Sequence, residues 1–279
     1  METRTDLAVE LQESCGKKQP EGVKNRSYFL PPVQVTETII TDTRGEALLH
    51  RPKGTYLTAE PQDQATEYEI ALALAELLRQ LIPPSGTVFV CGLGNRAVTP
   101  DALGPVSLDR LIVTRHLISS RPDLFGGMRP VCALAPGVLG DTGVETLEWI
   151  RGVTKRVSPA AIVAVDALAA RSYRRLCNTF QLTDTGIIPG SGACNARRAL
   201  NRENLGVPVI AFGVPTVIGA NTLVSQLSPN QEHKLPTDFL VAPKDIDRQI
   251  SRCGRIIGWA LDFALQGKMS LEEISEYFS

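Results

Sequence analysis

Histidine is scarce in this chain, and its three copies lie far apart. His50, His116 and His233 show no ligand spacing, so no zinc site built on histidine is expected. The six cysteines (Cys15, Cys91, Cys132, Cys177, Cys194, Cys253) contain no CxxC pair, which argues against a zinc ribbon or a dithiol redox motif. They read as small, buried residues of a chain kept in a reducing, cytosolic compartment. A Cys–His nucleophile stays open, with Cys91 and His116 the nearest pair. No apolar run reaches the roughly 20 residues of a spanning helix, and METRTDLAVELQES at the start has no signal-peptide core. With 29 basic against 30 acidic residues and no basic run, neither nucleic acid nor an anionic membrane is an expected partner. A nucleophile elbow is missing too: GxSxG has no match, and the GSG at Gly190–Gly192 is not one.

What the chain does have is alternation of short apolar runs with helical stripes. Ile70, Leu74, Leu77, Leu78 and Leu81 share one helical face, closed by Pro83-Pro84. Thr87–Cys91, Val131–Ala135, Ile162–Val165 and VPVIAFGVPT read as buried strands, FQLTD as another, and VQVTETIITD with GTYLTAE as a strand or hairpin. A helix is expected from Pro105 through LDRLIVTRHLI, another along Val144, Leu147, Ile150 and Val153, and a closing one over Asp245–Gln266. Residues 225–243 read as a polar loop. Strands alternating with helices predict an α/β fold, a mainly parallel twisted sheet with helices on both faces, in one domain spanning 1–279.

The most informative stretch is GTVFVCGLGNRAVTPDALGP, Gly86–Pro105. A strand runs into a glycine turn, but position 97 is Ala and VTPDALGP separates the turn from any helix, so a dinucleotide fingerprint is incomplete. The loop carries Asp101. The run AAIVAVDALAARS repeats the plan, reading as a strand that ends on Asp166. In open α/β sheets, ligands and chemistry collect at the carboxyl ends of strands. Singly, each aspartate is more often a turn or cap residue than a catalyst. Paired, they can share a proton, one acting as base and the other as acid. Asp141 and Asp184 read as turn formers first and site lining second. GIIPGSGACN, with Gly190, Ser191 and Gly192, could offer backbone N–H groups to an oxyanion or an extended peptide.

Seven blocks look familiar: RTDLAVE (Arg4–Glu10), GLGN with VTPDALGP (Gly92–Pro105), VTRHL (Val113–Leu117), APGVLGDTGVET (Ala135–Thr146), VDALAARS (Val165–Ser172), DTGIIPGSG (Asp184–Gly192) and LGVPVIAFGVPTV (Leu205–Val217). Together they resemble the germination protease (spore protease) family of endospore-forming bacteria, over most of the chain from Arg4 to roughly Gln266. The resemblance implies a fold similar to hydrogenase maturation proteases. It implies an endopeptidase that begins the degradation of small acid-soluble spore proteins during germination, acting without a cofactor in the forespore or spore core. It also implies a homotetramer made as a zymogen. The family's proposed catalytic aspartates fall on Asp101 and Asp166, and its self-cleavage on the bond between Asp6 and Leu7, which makes residues 1–6 a short propeptide. The family often has His where Ile188 stands and Asp where Gly219 stands, and its chains are longer, the difference falling between Val224 and Val241. Two other readings fit the same residues: a maturation-type protease guided by a metal on its substrate, and a non-catalytic α/β peptide-binding module.

Overall fold

The structure, a computed structural model, describes residues 5–16, 20–189, 198–228 and 239–267, with 270 and 273. The chain opens with α1 (Ala8–Ser14), then three strands, β1 (Val23–Leu30), β2 (Val33–Ile40) and β3 (Gly54–Pro61), with α2 (Thr43–Leu49) inserted before the third. Next come α3 (Glu67–Leu81) and β4 (Val88–Gly92), a 3-10 turn over Thr99–Asp101, and α4 (Leu103–Leu108). The helices α5 (Arg115–Ser120) and α6 (Pro122–Phe125) lead to β5 (Val131–Leu134), α7 (Leu139–Thr142) and α8 (Thr146–Val157). β6 (Ala161–Ala170), β7 (Phe180–Thr183), α9 (Arg202–Leu205), β8 (Val209–Gly219), α10 (Ala220–Leu227), β9 (Leu240–Val241) and α11 (Ile246–Gln266) complete it.

The nine strands among the described residues join one sheet in the order β1-β2-β3-β7-β8-β6-β4-β5, with β9 added to the end of β8. The expected α/β class holds. Parallel pairing runs through β5, β4, β6 and β8, while β7, β3, β2 and β1 continue the sheet antiparallel.

Strand alternation sorts side chains onto two faces. Val88, Val90, Val163 and Val165 join the larger core beneath α3, α4 and α11. Phe89, Cys91, Ile162 and Ala164 join a smaller core with Leu147 and Ile150 of α8. The α3 stripe packs inward as its spacing predicts, with Ile70, Leu74, Leu77 and Leu78 buried and Leu81 half-buried, and the helix starts on a capping box in which Thr66 Oγ1 accepts from the Glu69 N–H at 3.2 Å. Against it packs α11, with Tyr68 and Phe263 edge to face at 5.3 Å.

Three elements differ from expectation. β6 does not stop at Asp166; it continues to Ala170 because β8 stays alongside, with Asp166 opposite Gly213. β1 was not anticipated and supplies the outer strand of the β2 hairpin. The helix expected from Pro105 to Ile118 is two helices. Between them Leu111 and Ile112 are buried, the Ile112 N–H donates to Asp262 Oδ1 of α11 at 2.9 Å, and Thr114 Oγ1 accepts from the Val131 N–H at 2.9 Å. Tertiary partners for those backbone groups replace the helical ladder. In the region 225–243, α10 extends to Leu227 and β9 pairs with Ile218 and Gly219; residues 229–238 lie outside the described residues.

Candidate active site

The route from β4 to Asp101 is fixed step by step. Beyond the end of β4, the Leu93 N–H donates to Val165 O at 2.8 Å, so the chain leaves the sheet beside the residue preceding Asp166. Gly94 follows at φ +104°, where an L side chain is strained, and a Cβ there would lie 1.9 Å from Asp101 O. The Asn95 side chain then accepts from the Ala97 N–H at 2.8 Å, and Arg96 clamps the loop to α4 through Asp109 and Pro105 O. The loop closes on itself when the Asn95 N–H donates to Asp101 Oδ2 at 2.7 Å. The glycine turn is thus the seat of Asp101.

Asp166 arrives by a different route. It lies in the β6 interior, 4% exposed, on the face that also carries Ile162 and Ala164, and its Oδ1 accepts from the Ala167 N–H at 2.9 Å. β4 is no longer alongside at this point, since its last paired residue, Gly92, faces Val165. Asp166 therefore sits just past the carboxyl end of the neighbouring parallel strand, which is how a mid-strand residue comes to occupy a strand-end site. Gly104 of α4 permits the close approach: a Cβ on it would meet Leu93 O at 2.3 Å and Val165 O at 2.6 Å.

Asp101 and Asp166 line the same cavity, of about 290 Å³. Among the described residues, its other polar side chains are Thr146, at the start of α8, and Thr216 of β8. The rest of the described wall is apolar, and its Val98 and Leu240 are half exposed. Neither threonine, nor the contribution of β9, follows from sequence periodicity. Thr216 lies inside the quoted GVPTV block, but only the sheet register shows it to be a bulge.

The other expected site residues are Asp184, Gly190, Ser191, Gly192, Asp6 and Leu7. Asp184 is not among the lining residues; its Oδ1 accepts from the Thr55 N–H at 2.8 Å, at the start of β3. Gly190, Ser191 and Gly192 lie outside the described residues, whereas Pro189 lines the cavity. Asp6 and Leu7 are buried beside the far end of β6. The Asp6 N–H donates to Ala169 O and its Oδ2 accepts from the Ala169 N–H, both at 2.9 Å. Asp6 O accepts from Gln181 Nε2 at 3.0 Å, and Arg51 approaches Oδ1 at 3.2 Å. A second cavity of about 130 Å³ reaches Asp6, Arg51 and Ile188, and Leu168 lines both cavities.

The open Cys–His reading finds no support in the geometry. Cys91 is fully buried, burial and the nearby Asp166 charge push its thiol well above the ordinary range, and His116 is exposed on α5. Among the described residues, no three His, Cys, Asp or Glu side chains gather as a metal site. No helix among the described residues is long and apolar enough to cross a membrane.

Comparison with known proteins places these features in a family. The family model described as germination protease matches residues 2–229. A germination protease of Clostridium acetobutylicum is 38% identical over 98% of each chain, and that of Clostridium tetani is 36% identical over 100% of each. The germination protease of Priestia megaterium is 42% identical over 80% of this chain and 65% of its own length. Among solved structures, a NiFe hydrogenase maturation protease of Thermococcus kodakarensis aligns over 67% of this chain and 99% of its own, at 17% identity and a TM-score of 0.37. At that distance the likeness carries no argument.

Proposed function

This chain belongs to the germination protease family, and on that premise we propose that it is the endopeptidase that begins the degradation of small acid-soluble spore proteins when a spore germinates. The observation that supports the catalytic half of this reading is that Asp101 and Asp166, from separate elements, line one cavity. Two carboxyl groups in one site do not both ionise cheaply, so they hold one proton between them. The ionised member takes a proton from a water, whose oxygen adds to the scissile carbonyl carbon. The protonated member gives its proton to the leaving nitrogen as the C–N bond breaks. The proton removed from water restores the pair.

The test uses the purified chain and a purified small acid-soluble spore protein. Asp101→Asn and Asp166→Asn are each expected to abolish cleavage while circular dichroism and native mass stay unchanged. Wild-type cleavage by either variant sinks the two-aspartate mechanism.

The same reading takes 1–279 as one protease domain with 225–243 as a variable region, working as a homotetramer in the forespore or spore core. Residues 1–6 are its propeptide, removed at the bond between Asp6 and Leu7. That bond is held between β6 and Gln181, so cleavage goes through a state in which the segment has detached. Intact-mass measurement of aged protein is expected to show loss of residues 1–6. An unchanged mass in fully active protein rules out activation at this bond.

A further inference from the structure

Within β8, Thr216 is the residue that the sheet register leaves over. Leu168 of β6 faces Pro215 and the next residue, Ala169, faces Val217, so Thr216 is the extra residue of a bulge. Bulges bend a strand and re-aim a side chain, and they are frequent beside active sites. This one falls where the strand borders the aspartate cavity, and Thr216 is part of the cavity wall.

Its hydroxyl is the second observation. Thr216 is 1% exposed, and Oγ1 makes no hydrogen bond among the described residues. A buried hydroxyl without a partner destabilises the fold, and valine, of nearly the same shape, would avoid that. Stability therefore does not account for a threonine here. Thr38 and Thr58, in the β2–β3 hairpin, also have unbonded buried hydroxyls, but they line neither of the cavities beside β6. Of these three, only Thr216 lines the cavity that also holds Asp101 and Asp166.

The chemistry of the cavity indicates what it could bind. An ionised carboxylate only accepts hydrogen bonds, whereas a carbonyl oxygen under attack gathers negative charge and needs a donor. A hydroxyl shielded from solvent, with no acceptor of its own, has a proton to offer there. We propose that Thr216 Oγ1 donates a hydrogen bond to the scissile carbonyl oxygen of the bound peptide. This rests on the two-aspartate reading of the same cavity.

The test measures kcat, KM and Tm on a purified small acid-soluble spore protein for Thr216→Val, Thr216→Ser and, as a control, Thr58→Val. Thr216→Val is expected to keep or raise Tm while kcat falls about 10²–10³-fold, the size seen when one oxyanion donor is removed, with KM little changed. Thr216→Ser keeps the donor and is expected to retain most of kcat; Thr58→Val leaves kcat unaltered. A wild-type kcat in Thr216→Val overturns the proposal. So does a Thr216→Ser variant as inactive as the valine, which would mark a packing role. Active Asp101→Asn and Asp166→Asn enzymes would remove the two-aspartate reading, and this inference with it. If those two are inactive and Thr216→Val is active, only the threonine assignment falls.

Discussion

Carboxylates meet β6 at two places, and the two surroundings differ in kind. Towards its far end, Glu10 of α1 is 1% exposed and saturated: it accepts from the Arg171 N–H at 2.6 Å, the Ser172 N–H at 2.8 Å and the Thr5 hydroxyl, with the Arg175 guanidinium 3.4 Å away. Asp6 beside it is held by Ala169 and Arg51. Asp166, three residues before Ala169, lines a cavity that it shares with a second carboxyl group, and among the described residues that lining contains no Lys, Arg or His. The first arrangement holds a chain segment against the sheet. The second leaves an open cavity of about 290 Å³ beside both carboxyl groups. Burial alone does not tell them apart, since both Glu10 and Asp166 are buried; what surrounds the oxygens does.

The contrast breaks most sharply at the cavity. Asp166→Asn is expected to lower kcat by about 10²–10⁴-fold or more, the range for losing a general acid or base, with Tm held within a degree or two of the parent. A thermal unfolding scan beside the activity assay checks both halves, and a large fall in Tm would place Asp166 with the structural carboxylates. Glu10→Ala should do the reverse. It strips a buried ionic network and is expected to cost about 3–5 kcal/mol, read by denaturant unfolding, while kcat at low temperature survives. A Glu10→Ala protein that unfolds like the parent would erase the distinction.

A smaller effect tests how the cavity is built. Gly104→Ala forces backbone apart at Leu93 and Val165 and is expected to cost about 1–3 kcal/mol, as overpacking does, with a loss of activity beyond what the stability change explains. Ordinary activity in that variant would mean that the close approach of α4 to β6 is not needed to place Asp101.

The last concerns a third carboxyl group, Asp262 on α11, which lines neither of the cavities beside β6. It is 1% exposed, its Oδ2 has no partner among the described residues, and burial raises its pKa well above the usual range, opposed by the Ile112 N–H. The folded chain therefore holds this proton more tightly than the unfolded one. Its stabilising contribution is complete below about pH 4, the unfolded value, and is lost as pH rises towards the folded value. Asp262→Asn, which keeps an acceptor for Ile112, is expected to gain on the parent as pH rises from 4 to 8, by about 1.4 kcal/mol for each unit of the raised pKa. A Tm difference that is flat across that range would show that the group does not titrate in the native state.

Much of the scaffold was legible because it obeys local rules. The α3 stripe, the strands β4, β5 and β8, and the closing helix follow from periodicity and from proline and glycine punctuation. Both aspartates were legible as carboxylates next to apolar strands, and the family from seven blocks of sequence. The break between α4 and α5 was not, because Ile112 and Thr114 find hydrogen-bond partners on α11 and β5, far away in sequence.

The sequence by itself determined which residues are apolar at which period, and hence most of the elements, the α/β class and the two candidate acids. Tertiary structure alone decided where those elements stop and meet. β6 runs past Asp166 because β8 continues beside it while β4 ends, and a strand's length depends on whether a neighbour remains to pair its backbone groups. Asp101 and Asp166 share a cavity because Gly94 and Gly104 let backbone approach backbone, and Thr216 reaches its wall because two registers in one sheet disagree by one residue. Such contacts depend on distances between residues far apart in the chain, which no local pattern of residue types encodes.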